Sequence, residues 1–159
     1  MPSRVLVAIR VKVTPERAFE AFTQEIGAWW RPNGLFSFTR RDTRALSFEP
    51  GLGGRLLMLQ TTGEPFEIGR ITRWDPPSRL AFSWRQESFS PEQDTEVRVS
   101  FDPVGDETRV TVEHLGWDGI PREHAARHRF PLDVFQLRLA EWWQMMLSSL
   151  VTRAQTPFD

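Results

Sequence analysis

The run from Leu132 to Arg153 constrains this chain more than any other, because only there does an apolar pattern last long enough for several turns of amphipathic helix. Phe135, Leu139, Trp142, Met146 and Leu150 recur at three- and four-residue spacing, with Arg138, Glu141, Gln144 and Ser148 on other faces. A second row, Leu132, Trp143, Leu147 and Val151, widens the stripe beyond a coiled-coil seam, so other structure must wrap this helix. Nearly everything from Leu46 to His114 reads as strand. A curved antiparallel sheet is the partner able to embrace such a helix.

The rest of the chain supplies that sheet. Val5, Val7, Ile9 and Val11 alternate as a half-buried first strand. The period then changes: Thr14, Pro15 and Glu16 are an N-cap, a first-turn proline and a first-turn acid, followed by Ala18, Phe19 and Phe22 at helical spacing to about Thr23. Ile26, Trp29 and Trp30 suggest a second short helix, stopped by the turn chemistry of Arg31-Pro32-Asn33-Gly34. Glu49-Pro50-Gly51-Leu52-Gly53-Gly54 reverses the chain between two strands; it lacks the lysine and the following helix of a phosphate loop, so it reads as a hairpin. Strands follow from Phe66 to Trp74, at Leu80-Phe82-Trp84, at Val97-Val99-Phe101 and at Val110-Val112-His114. A polar loop spans Gln86 to Asp94, and a short polar helix is expected from Arg122 to Arg129. The order is strand, two short helices, six strands and a long helix.

At 159 residues this is one domain, 1–159, large enough to need no covalent staples. The absence of cysteine excludes a disulfide framework and thiolate metal sites and fits a reducing compartment, so the expected location is cytoplasmic. Arg10 and Lys12 interrupt the first apolar run too early for a signal peptide or membrane span. The net charge is -1 and, although Arg40, Arg41 and Arg44 cluster, acids are spread through the remainder; neither nucleic acid nor a membrane is expected as a partner.

Few residues offer chemistry. His124 and His128 stand at the spacing of two imidazoles sharing zinc, but Ala125 follows where a zinc-protease helix needs glutamate, and a third ligand is missing. They read as a solvated helix, and neither metal nor cofactor is expected. His114, in register with Val110 and Val112, points inward at the sheet's end. It is either a hydrogen-bonded core histidine or an imidazole able to bind or protonate a ligand. Arg70 faces inward with Phe66 and Ile68 if its strand is regular, where it could meet a ligand carboxylate; a bulge at Gly69 would turn Ile71 inward instead and leave Arg70 in solvent. Phe82, Trp84, Phe101, Phe135, Trp142 and Met146 are either plain core or the lining of a cavity for a flat or lipid-like molecule.

Particular segments go further. These are Thr14-Pro15-Glu16 with Ala18-Phe19, Ala28-Trp29-Trp30, Glu49-Pro50-Gly51 with Gly53-Gly54-Arg55, Gly69 through Trp74-Asp75-Pro76-Pro77 to Leu80-Phe82-Trp84, and Thr108 with Val110 to His114. In this order the chain resembles the helix-grip fold of the START-like (SRPBCC) superfamily, closest to the branch of the activator of heat-shock-protein-90 ATPase. The resemblance implies an α+β fold in which a curved sheet of about seven strands wraps the C-terminal helix, with a deep apolar cavity between them. A ligand pocket is then expected from Phe82, Trp84, Val99, Phe101, Val112, His114, Phe135, Leu139, Trp142, Met146 and Arg70. The implied partner is a small hydrophobic molecule, lipid-like or aromatic, and a homodimer is compatible with the sequence. The implied function is ligand binding without a catalytic set. The alternatives are a polyketide-cyclase or aromatase type of enzyme and a partner of heat-shock protein 90. The co-chaperone naming the branch carries an N-terminal domain with no counterpart before the first strand here, so co-chaperone activity is not the leading expectation.

Overall fold

The computed structural model describes residues 4–30, 43–60, 64–85, 95–117, 120 and 130–155. Strand β1 (Arg4–Val11) leads into helices α1 (Pro15–Thr23) and α2 (Ile26–Trp29). Strands β2 (Thr43–Phe48), β3 (Arg55–Gln60), β4 (Phe66–Asp75), β5 (Arg79–Trp84), β6 (Thr95–Val104) and β7 (Glu107–Leu115) follow, and α3 (Leu132–Gln155) closes the chain. The strands form one antiparallel sheet in the order β1-β7-β6-β5-β4-β3-β2. This is the α+β helix-grip arrangement that the sequence pattern suggested. The turn chemistry of Arg31 to Gly34, the expected polar loop and the expected short helix with His124 and His128 lie outside the described residues.

Local chemistry sets the element boundaries. Thr14 caps α1, its hydroxyl accepting from the Arg17 amide at 3.2 Å, with Pro15 in the first turn. The β6–β7 hairpin turns at Gly105, whose φ of 64° is readily reached without a side chain. Strand β6 runs on through Pro103 to Val104, which still pair with Thr108 and Glu107 across the hairpin.

Strand β4 is irregular twice. Leu56 pairs with Gly69 and Leu57 with Glu67, leaving Ile68 as an extra residue; Ile71 pairs with Phe82 and Arg73 with Ala81, leaving Thr72 as another. At Gly69 a Cβ would come within 1.6 Å of the Ser83 carbonyl oxygen, so only glycine lets β4 and β5 approach this closely. Ile68 and Ile71 are buried while Arg70 is turned out. The inward placement of Arg70 is thereby corrected: the bulge resets the alternation, and its guanidinium pairs with Glu67 at 3.2 Å in solvent.

Helix α3 lies along the edge strand β1. The Gln136 amide donates to the Arg4 carbonyl at 3.2 Å, and the Gln155 side-chain oxygen accepts from the Lys12 amide at 2.8 Å. Nineteen helical residues rise about 28 Å and eight extended residues about 26 Å, so the two elements run in step and the helix covers the sheet's edge. The far end of α3 is clasped by α1: Arg17 Nε donates to the Ala154 carbonyl at 3.1 Å, and Glu25 accepts from both Arg17 and Arg153. The Arg17 guanidinium, then that of Arg153, holds the Glu25 carboxyl below its ordinary pKa against the opposing effect of burial.

Candidate functional site

Antiparallel order puts the ends of β5 and β7 and the starts of β6 and α3 at one end of the sheet. There, the concave face and α3 enclose an aromatic cluster around His114. Its imidazole is completely buried and meets Trp84 at 4.9 Å, Trp117 at 5.5 Å and Trp143 at 6.0 Å between ring centroids. Trp117 also packs on Phe135 of α3 at 4.6 Å. Strand alternation delivers Trp84 and His114; helical spacing delivers Phe135 and Trp143.

The hydrogen bonds of this cluster fix its proton positions. An indole N–H can only donate, so Trp143 Nε1 donates to His114 Nδ1 at 3.2 Å. The single proton of the neutral ring is therefore on Nε2, which donates to Thr95 Oγ1 at 2.8 Å. The Thr95 hydroxyl passes the chain on to the Trp84 carbonyl at 2.8 Å. Four elements, α3, β7, β6 and β5, are tied by one neutral relay. Burial among apolar rings pushes the His114 pKa down to about 3, because an imidazolium there would lose its hydration and its indole donor.

The remaining expected lining residues separate into neighbouring groups. Phe82, Val99, Phe101, Val112, Leu139, Trp142 and Met146 are all buried in the same core. Phe82 and Phe101, however, meet rings from α1: Phe22 lies 6.5 Å from Phe82 and 5.9 Å from Phe101, and Phe19 lies 5.2 Å from Phe101. Trp142 meets Trp30, the residue after α2, at 5.7 Å, and Trp30 also stands edge-on to Trp143 at 5.5 Å. Sequence reasoning missed the parts played by Phe22, Trp30, Thr95 and Trp117. Helical spacing singled out Phe22, but no local signal says what crosses above a strand. Arg70 belongs to neither group, standing exposed on β4.

The opposite face of the sheet is different. Thr72, Arg73, Arg79, Arg98, Ser100 and Glu113 help to line an open groove of about 540 Å³ there. Arg73 pairs with Asp75 at 2.6 Å, Arg79 with Asp102 at 3.1 Å and Arg98 with Glu96 at 3.1 Å, all on exposed side chains. Among the described residues no cluster of metal-ligating side chains occurs, and no helix is long and apolar enough to cross a membrane.

A helix gripped by a seven-stranded antiparallel sheet over an aromatic interior defines a START-like protein. More narrowly, the chain belongs to the family of activator of Hsp90 ATPase homolog 1-like proteins, whose sequence profile matches residues 12–155. No curated protein matches it. Solved structures share its fold. A protein of Mesorhizobium loti, 17% identical, superposes with a TM-score of 0.67 over 98% of this chain and 100% of its own. One from Chromobacterium violaceum, 16% identical, gives 0.66 over 99% and 100%. An anthrahydroquino-gamma-pyrone synthase, solved as a complex and 28% identical, gives 0.55 over 92% of this chain and 96% of its own.

Proposed function

We propose that this chain binds a small hydrophobic molecule between the concave face of its sheet and α3. The observation carrying this reading is the aromatic interior at the β5–β7 end, where Trp84, Trp117, Phe135 and Trp143 gather around a neutral relay with no buried charge. Membership of a family associated with small hydrophobic ligands supports it. Such a surface favours flat rings or acyl chains over polar solutes, because burying an uncompensated polar group is costly.

The test is a titration of tryptophan emission with fatty acids, flavonoids and polycyclic aromatics. At least one should quench or shift the emission saturably with low-micromolar affinity, about -7 to -8 kcal/mol. Trp84→Phe should remove much of the signal. Val112→Trp, which adds bulk on the concave face, should abolish binding while unfolding stays cooperative, at an overpacking cost of about 1–3 kcal/mol. If no compound saturates, the reading fails.

One observation favours a second reading. The synthase that shares the fold at 28% identity suggests an enzyme of the polyketide-cyclase type, in which the interior folds a reactive substrate. Turnover of a polyketide-like substrate would separate this from simple binding. With both nitrogens of His114 already engaged, the imidazole is a poor candidate for proton shuttling in such an enzyme.

A further inference from the structure

We propose that His114 is a positioning residue of the ligand site: it locks the Trp143 indole of α3 in one orientation beside Trp84 and Trp117, and this selects flat, rigid ring systems over flexible chains. The inference rests on the ligand-binding reading above and adds a determinant of its selectivity.

Trp143 reaches His114 across the gap between α3 and β7, and its N–H has a defined acceptor in Nδ1 at 3.2 Å. His114 cannot turn to release it, because Nε2 is held on the other side by Thr95 at 2.8 Å, and the Thr95 hydroxyl is itself spent on the Trp84 carbonyl. The imidazole plane stands at 78° to the Trp84 ring and at 78° to the Trp143 ring, and at 58° to Trp117. Three indoles from β5, the segment after β7, and α3 are thus set around one ring whose tautomer is fixed. Ring-on-ring contacts depend on angle and offset, whereas contacts with a flexible acyl chain hardly do. Holding the Trp143 indole in place therefore favours a rigid aromatic ligand, whose partner needs no reordering on binding. A proton offered to Nδ1 would meet the Trp143 N–H, so the relay acts through placement and not through proton transfer.

The experiment compares two probes, emodin as a flat trihydroxyanthraquinone and oleate as a flexible chain, on wild type, His114→Phe, His114→Asn and Thr95→Val. His114→Phe keeps a ring but removes the acceptor. His114→Asn keeps an acceptor oxygen on the side of Nδ1. In His114→Phe emodin should bind roughly fivefold to tenfold more weakly, about the factor carried by one hydrogen bond, while oleate changes less than about twofold. His114→Asn should recover most of the emodin affinity, and Thr95→Val should fall between. The indole N–H signal of Trp143 in the ligand-free protein should exchange slowly with solvent in wild type and faster in His114→Phe. Thr95→Val stands in if His114→Phe does not fold. A folded His114→Phe or Thr95→Val whose emodin-to-oleate affinity ratio equals that of wild type overturns the positioning role alone. Equal weakening of both probes, showing only a loosened fold, overturns it too. Wild type binding neither probe overturns this role, while the ligand-binding reading stands or falls on the wider panel.

Discussion

The two faces of the sheet are built from the same strands, residue by alternating residue, yet they obey different physics. On β6, Val97, Val99 and Phe101 are buried, while Glu96, Arg98 and Asp102, out of phase with them, meet solvent. The concave face carries the neutral His114 relay, each of whose polar atoms has a geometrically fixed partner. The convex face carries full charges, but its pairs keep side-chain exposures near one half, as for Arg79 and Asp102 at 40% and 44%. A buried neutral hydrogen bond is costly to break because the orphaned group cannot recover water. An exposed ion pair loses little, since water and salt replace the partner. Fixed orientation therefore belongs to the concave side, and the open groove to the other.

The largest effect should come from breaking the concave side in its middle. Leu139 is fully buried, and Leu139→Ala should cost about 2–5 kcal/mol in urea unfolding, the range for truncating a buried aliphatic chain. A loss below half a kcal/mol would place α3 outside the core. The next is a pH effect. The folded state holds His114 at about 3 against an ordinary 6.5, so below pH 6.5 the unfolded chain binds the extra proton. Stability should be flat in this respect above pH 6.5 and decline as pH falls toward 3, at up to about 1.4 kcal/mol per pH unit. His114→Phe should remove that slope between pH 6.5 and 5, and an unchanged slope would mean that His114 takes up its proton in the folded state. The convex side should respond more weakly. Asp102→Asn breaks a cross-strand pair with Arg79 and should cost less than about 1 kcal/mol, with the difference shrinking in high salt. A larger, salt-insensitive loss would erase the contrast between the faces.

Much of this architecture is legible in the sequence, and the reasons are local. The breadth of the α3 stripe announced a wrapped helix, and Thr14 with Pro15 announced the start of α1. Period-two alternation put His114 inside. Three things were not readable. Which side chains reach His114 is a matter of long-range approach: Thr95 is 19 residues away and Trp143 is 29. Which helix covers Phe82 and Phe101 depends on how α1 crosses the sheet, and neither strand encodes it. The facing of Arg70 hung on a single bulge, since one extra residue inverts every side chain beyond it.

Arg70 supplies the smallest and sharpest test. Its side chain is 61% exposed, and its guanidinium is 3.2 Å from Glu67, three residues earlier on the same strand. On a regular strand it would have been a cation on the concave face, placed to hold a ligand carboxylate. The extra residue at Ile68 sends it outward, and the tight seat of Gly69 against Ser83 opposes a return to regular pairing, because sliding the strand would put a side chain where the Ser83 carbonyl sits. An exposed pair of this kind contributes about 0–1 kcal/mol. Arg70→Ala should therefore leave thermal unfolding nearly unchanged and, more tellingly, leave oleate affinity within about twofold of wild type, well inside the tenfold that 1.4 kcal/mol represents. If oleate binding instead falls tenfold or more while emodin is unaffected, the carboxylate is reaching Arg70. The division of labour between the faces would then have an exception at β4.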